Sequence, residues 1–267
     1  MSLVILDKLA TLSERNLAQI EKAKEAGRKV GGLYCLYSPA ELIVAAGAIP
    51  VPLCGTRNEP IHDAEKILPR NLCPLIKSSF GFGITDTCPF FHFSDLLIAE
   101  TTCDGKKKMF ELLGKYKPIH LLQLPQDQNA DTSLPYWYDQ IRKLKERIEQ
   151  EFSVELTDER LSDAIRVMNR ERMALKDLMD CAKQKPSPVS GMEMLAIKHR
   201  LSFFADKEEG LALIREAVQE IRGKALSKES PFGAQTPRIL LTGTPVGLGS
   251  EKVIRLIEEC GAGTGSV

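Results

Sequence analysis

Cys73, Cys88 and Cys103 stand 15 residues apart in the first half of the chain. Each lies in a stretch that reads as a turn: Asn71-Leu72-Cys73-Pro74, Asp86-Thr87-Cys88-Pro89 and Thr102-Cys103-Asp104-Gly105. Proline or glycine within two residues of each thiol favours a sharp turn that can aim a side chain inward. Thiols delivered by turns at the ends of neighbouring elements are what an iron–sulfur cluster or another thiolate-bound metal needs. Zinc prefers four ligands and close Cys-x-x-Cys pairs, which are absent here, so a thiolate-zinc or redox-sensing protein is the alternative. The chain has seven cysteines, an odd number that fits disulfides poorly. Met1 to Ala10 carries Asp7 and Lys8 and no small-residue cleavage pattern. The expected location is therefore the cytoplasm, where thiols stay reduced. Cys181, inside the helical stretch 174–183, is expected to be simply buried.

The elements that must position these thiols belong to a folded domain. Of the 267 residues 43% are hydrophobic and 27% charged, a globular composition. No apolar run approaches the roughly 20 residues that span a bilayer. Thirty-six basic and 36 acidic side chains balance, which argues against nucleic acid as the main partner. The four histidines are scattered and suggest no histidine-rich metal site.

Periodicity predicts a helix over 3–27, a strand from Val30 to Leu36 and a helix over 39–46. Ser38 is placed to cap that helix, with Pro39 at its first position and Glu41 closing a capping box. A second strand runs from Ala48 to Leu53, its two prolines suiting a sheet edge or a strand end. Further strands are expected at 94–99 and 119–124, and helices after Pro74 and from Gly105, the latter capped by Asp104. Cys103 then falls beyond the carboxyl end of a strand, where ligands sit in open α/β sheets. From Tyr136 to about Ala182 the chain reads as long charged helices, followed by helices over 190–204 and 206–224. A polar linker covers 227–237, and Arg238–Thr242 is a strand. A loop with Gly243, Gly247 and Gly249 precedes a helix over 251–260. That loop resembles a phosphate cradle but lacks the ending of a P-loop and the spacing of a dinucleotide fingerprint. The expected fold is α/β, two Rossmann-like parallel-sheet lobes with added helices and the second lobe incomplete. Its segments are 1–135, a first lobe carrying the cysteines, 136–230, helical, and 231–267, the start of a second lobe.

The stretch from Leu68 to Gly83, Cys88-Pro-Phe, Ser94-Asp95 and Glu100-Thr-Thr-Cys-Asp-Gly-Lys-Lys-Lys-Met109 resembles the dehydratase-component (D-component) family of 2-hydroxyacyl-CoA dehydratases, grouped with benzoyl-CoA-reductase-type proteins. The segments Gly32 to Ala48 and Ile239 to Gly247 match as well, and the resemblance is strongest to the branch that includes the double-cubane cluster proteins. It implies two α/β lobes with a [4Fe–4S] or double-cubane cluster in the cleft between them. Carried over by position, Cys73 and Cys103 match the family's first-lobe ligands and Cys88 the additional cysteine of the double-cubane branch. Cys35 and Cys54 match positions often occupied by cysteine, Cys35 as a near-cluster residue rather than a ligand.

The resemblance also implies an ATP-hydrolysing iron–sulfur activator protein as electron donor, a homo- or heterodimer, and an acyl-CoA or small-molecule substrate of anaerobic metabolism. Nucleic acid and membrane are not expected partners. The implied reaction is a dehydration (lyase) or a low-potential reduction. Relatives continue beyond this chain and carry the remaining cluster cysteines there, and Thr244 stands where near relatives often have cysteine. A C-terminally truncated, cluster-free remnant is thus a further alternative. Four other features have simpler readings: Ser38 and Glu41 as a cap, Lys106 to Lys108 as a solvated helix start, His92 as a packed strand-edge residue, and Trp137 as helix packing.

Overall fold

Helix and parallel strand alternate along the first half of the computed structural model, which describes residues 3–34, 37–53, 55–243 and 246–266. Two compact units divide the chain: Ala18–Met168, and Met1–Leu17 with Asn169–Val267. Helices α1 (Val4–Glu25) and α8 (Asp158–Cys181) each run through both.

The first unit holds a four-stranded, all-parallel sheet: β1 (Val30–Tyr34), β2 (Ile49–Leu53), β3 (Leu96–Glu100) and β4 (Ile119–Leu122), in the order β2-β1-β3-β4. The protein is therefore α/β. β2 is an edge strand, where Pro50 and Pro52 cost no ladder hydrogen bonds. β3 is buried along its whole length, as a strand covered on both faces must be. Leu97 and Ala99 face α4 (Pro74–Thr85), α5 (Pro89–Phe93) and α6 (Asp104–Leu113) through Ile76, Phe80, Phe91, Met109 and Phe110. Leu96 and Ile98 belong to the opposite core, with α2 (Ala40–Ala45), α7 (Ser133–Phe152) and the start of α8. Trp137 packs against that core, as expected. A short helix, α3 (Ile61–Ala64), follows β2.

In this strand order the chain leaves β1 toward β2 on one side and returns to β3 on the other. β1 and β3 thus flank the topological switch point, and the crevice beyond their carboxyl ends is where such sheets bind ligands.

The second unit packs α9 (Gly191–Leu201) and α10 (Lys207–Leu226) with the end of α8 and the start of α1. Cys181 is buried there. The unit also contains α11 (Lys252–Glu259) and a parallel pair, β5 (Arg238–Leu241) and β6 (Gly263–Ser266). β6 is not legible in its glycine-rich sequence; it forms because the chain turns back through Gly261 (φ +85°) to pair with β5. Glu258 ties this corner together, its Oε1 accepting from Gly191 N at 2.6 Å and Thr264 Oγ1 at 2.8 Å. Glu258→Ala removes both bonds and should lower stability by about 1–3 kcal/mol. Urea unfolding checks this, and an unchanged midpoint would show that the carboxylate is dispensable.

Candidate functional site

Each of the three sequence-selected cysteines occupies the N-cap position of a helix: Cys73 of α4, Cys88 of α5 and Cys103 of α6. The sequence explains the placement. Pro74 and Pro89 are suited to the first helical position, and Asp104 is favourable in a first turn. Cys103, not Asp104, is the cap of α6: its sulfur accepts from Lys106 N at 3.5 Å.

The first turns of α4 and α6 abut, because Gly105 has no side chain. A Cβ there would meet Ile76 at 2.8 Å and Leu72 at 3.0 Å. Cys73 and Cys103, both exposed, therefore share the carboxyl edge of the sheet. Cys88 does not join them. It follows the C-cap of α4, Asp86, and 12 helical residues place the ends of α4 about 18 Å apart. It sits half-buried against the α4–α6 core, near the amino ends of the strands. Burial, aided by the nearby Asp86 charge, pushes its thiol up, while the Phe90 and Phe91 amides oppose the shift. Among the described residues no group of three or more His, Cys, Asp or Glu side chains is arranged to hold a metal ion. Cys35, Cys54 and Thr244 lie outside the described residues.

His92 is on α5 rather than a strand edge, and its exposed ring meets Asp86 (Nδ1 to Oδ2, 2.6 Å). The lysine run is largely neutralised locally. Lys107 lies 3.3 Å from Asp104 and Lys108 2.8 Å from Glu111. The glycine-rich loop uses its own carboxylate where a phosphate would bind: Gly249 N donates to Glu251 Oε2 at 2.6 Å. The Glu251 and Gly249 amides hold that carboxyl below its ordinary value.

The expected capping box at α2 does not form. Pro39 is the N-cap, with no side-chain cap bond. Ser38 turns instead to Glu100, the last residue of β3, with Oγ 3.0 Å from Glu100 Oε1 and 3.3 Å from Tyr34 O. The bond spans the β1–β3 switch point and gives a buried carboxyl oxygen a second donor. Glu100 also accepts from Tyr37 N and is completely buried. Burial pushes its carboxyl up, against the Ser38 and Tyr37 hydrogen bonds and the Lys106 charge. Sequence reasoning missed Glu100. Its signal was a glutamate closing an otherwise apolar strand, Leu96-Leu-Ile-Ala-Glu100. Thr101 seals the same edge, its Oγ1 accepting from Leu124 N at 2.9 Å.

The class so defined is an α/β protein with two free thiols and a buried acid at the carboxyl edge of its parallel sheet. The family model of the 2-hydroxyglutaryl-CoA dehydratase D-component matches residues 35–266, and the chain belongs to that family. It is 43% identical over 258 residues to the Escherichia coli (strain K12) protein YjiM, a dehydratase subunit by name, covering 96% of this chain and 67% of that protein. It is 24% identical over 239 residues to the (R)-phenyllactyl-CoA dehydratase beta subunit of Clostridium sporogenes, covering 88% and 61%. Identity to one of the benzoyl-CoA reductase subunits of Thauera aromatica is 24% over 178 residues, covering 65% and 45%. The chain thus spans about two thirds of the length of the first relative and less of the others.

An iron–sulfur cluster fits the donor set in part. Cys73 and Cys103 offer two accessible thiols at one edge, with a backbone amide already directed at one sulfur. The described residues supply no third cysteine beside them.

Proposed function

We propose that this chain is the thiolate-bearing component of an iron–sulfur dehydratase or reductase system. Cys73 and Cys103 would hold part of a [4Fe–4S] or double-cubane cluster at the carboxyl edge. The observation that carries the reading is the close approach of the first turns of α4 and α6, each capped by an exposed cysteine, in a chain of the dehydratase D-component family. Cys88 has no ligand role in it, because α4 holds it at the opposite end.

A bound cluster supplies low-potential one-electron transfer. The protein's residues do the rest. Lys106 N hydrogen-bonds the Cys103 sulfur, the kind of contact that orients a ligand and tunes its metal. The dry β3 terminus excludes water from Glu100 and Thr101. The Ser38 hydroxyl, held by Glu100, offers a polar contact to a substrate oxygen.

The electron donor is an ATP-hydrolysing iron–sulfur activator protein, and the substrate a 2-hydroxyacyl-CoA or another small molecule. Relatives named as beta subunits support assembly with a second protein, which would complete the ligand set. Thiols that must stay reduced to hold a cluster fit a cytoplasmic system.

The test is iron, acid-labile sulfide and zinc per chain, on protein purified without oxygen and reconstituted anaerobically. Iron and sulfide in equal amounts are expected. Zinc in their place would favour the thiolate-zinc alternative. No metal at all would favour the cluster-free remnant.

A further inference from the structure

Glu100 carries an unresolved hydrogen-bond account. It is 0% exposed, yet among the described residues its Oε2 has no partner. Its Oε1 faces Tyr37 N and Ser38 Oγ. Ser38 has one hydroxyl proton but two oxygens within reach, Tyr34 O at 3.3 Å and Glu100 Oε1 at 3.0 Å. An ionised Glu100 leaves half of a buried charge facing no donor among the described residues, which is the costly way to bury a polar group. A neutral Glu100 relieves that cost. Its O–H donates to Ser38 Oγ, Ser38 donates to Tyr34 O, and the bare oxygen is an uncharged carbonyl. The desolvation that pushes the carboxyl up points the same way and outweighs the opposing hydrogen bonds from the Ser38 hydroxyl and the Tyr37 and Ser38 amides and the field of Lys106.

We propose that Glu100 is held as a neutral acid and forms, with Ser38, a two-step proton line to the carboxyl edge of the β1–β3 switch point. The functional part rests on the reading that this edge carries the reaction; the protonation state does not. In the transfer, Ser38 gives its hydroxyl proton to an oxygen of the bound ligand and takes the Glu100 proton in its place. The O–H bond of Glu100 breaks, one O–H bond forms on the ligand, and Ser38 is restored. Glu100 is left as a carboxylate and regains its proton from water when the ligand departs. No oxidant or reductant enters this step. It suits a ligand that must lose a hydroxyl group as water, because the departing oxygen needs a proton.

Infrared spectra of the protein as it stands test the acid directly. Wild-type chain at neutral pH should show a protonated-carboxyl carbonyl band that is missing in Glu100→Gln. In Ser38→Ala the band should shift, since its hydrogen-bond partner is gone. Glutamine reproduces the hydrogen bonding of a neutral acid, and circular dichroism confirms that both variants fold. Spectra in which Glu100→Gln removes only a carboxylate band at neutral pH would overturn the proposal.

The proton line is tested on anaerobically loaded protein with its activator. Glu100→Gln should keep its iron and sulfide but lose about a hundredfold in turnover. Glu100→Asp should recover part of that loss, and unchanged turnover in Glu100→Gln would sink the line. Failure of the wild type to bind iron would refute the cluster reading alone, since the infrared band needs no cluster.

Discussion

Cys103→Ser and Cys73→Ser should each remove most of the iron and sulfide that the reconstituted chain retains, whereas Cys88→Ser should leave it nearly unchanged. The expectation follows from helix geometry rather than from cysteine spacing. Cys73 and Cys103 cap helices whose first turns touch through Leu72, Ile76 and Gly105. Cys88 caps a helix of its own beyond the far end of α4, about 18 Å along that axis. A serine hydroxyl is a harder, weaker ligand than a thiolate for iron held in sulfide. One lost ligand out of an already shared set is therefore expected to release the cluster. Cys88→Ser exchanges a half-buried thiol for a hydroxyl against an apolar core, so its effect should be on stability, about 1 kcal/mol. Iron and sulfide assays on the three variants decide it. Loss of iron in Cys88→Ser with the fold intact would mean that α4 does not hold the two thiols apart when metal is bound.

The amino-acid pattern made much of the first unit legible for a physical reason. β1 and β3 are short apolar runs bounded by breakers, and a parallel sheet covered on both faces demands that composition. The two prolines of β2 suited an edge or a strand end, and β2 is an edge. α4 begins where Pro74 must begin a helix. Choices between competing local bonds were not legible. Ser38-Pro39-Ala40-Glu41 carries a full capping-box signature, yet the serine hydroxyl binds a glutamate 62 residues away. Asp104 is the better capping residue type, yet the sulfur of Cys103 takes that role. For Ser38 a tertiary contact at the carboxyl edge overrides a local preference, which is where a functional site is expected to break local rules; the Cys103 cap is itself a local bond, from Lys106 N.

The candidate site divides in the same way. Residue type found the thiols, because cysteine in a turn is informative on its own. The equal spacing of the three was not informative, since 15 residues hold a helix in one interval and a short helix plus a strand in the other. Glu100 needed the strand order. Only with β1 and β3 adjacent does the end of β3 come beside the turn that follows β1. The glycine-rich loop is the converse case: its composition fits a phosphate, but Glu251 already occupies the Gly249 amide.

Gly81→Ala should be among the most destabilising single changes in the first unit, and it should act on the site from a distance. Gly81 lies in the middle of α4, where alanine is normally worth up to about 1 kcal/mol more than glycine. Here packing opposes that gain, because an added Cβ would fall on the Pro60 carbonyl, whose carbon would be only 2.7 Å away. A backbone carbonyl cannot swing aside as a side-chain end can. α4 must therefore lift from α3 and the loop after β2, and overpacking of this kind costs about 1–3 kcal/mol. α4 is also anchored at Gly55, whose amide donates to Ser79 Oγ at 2.9 Å, and by Lys77, which reaches Glu65 and Arg70 O, both at 2.7 Å. Lifting the helix disturbs all three bonds and moves Cys73, its N-cap, away from Cys103. The expected result is a lower urea midpoint together with reduced iron retention, although no ligand has been altered. Gly223→Ala, in α10 with open space around the position, provides the contrast and should be neutral or slightly stabilising. Equal stabilities for the two variants would show that α4 is seated less tightly than its glycine contacts require.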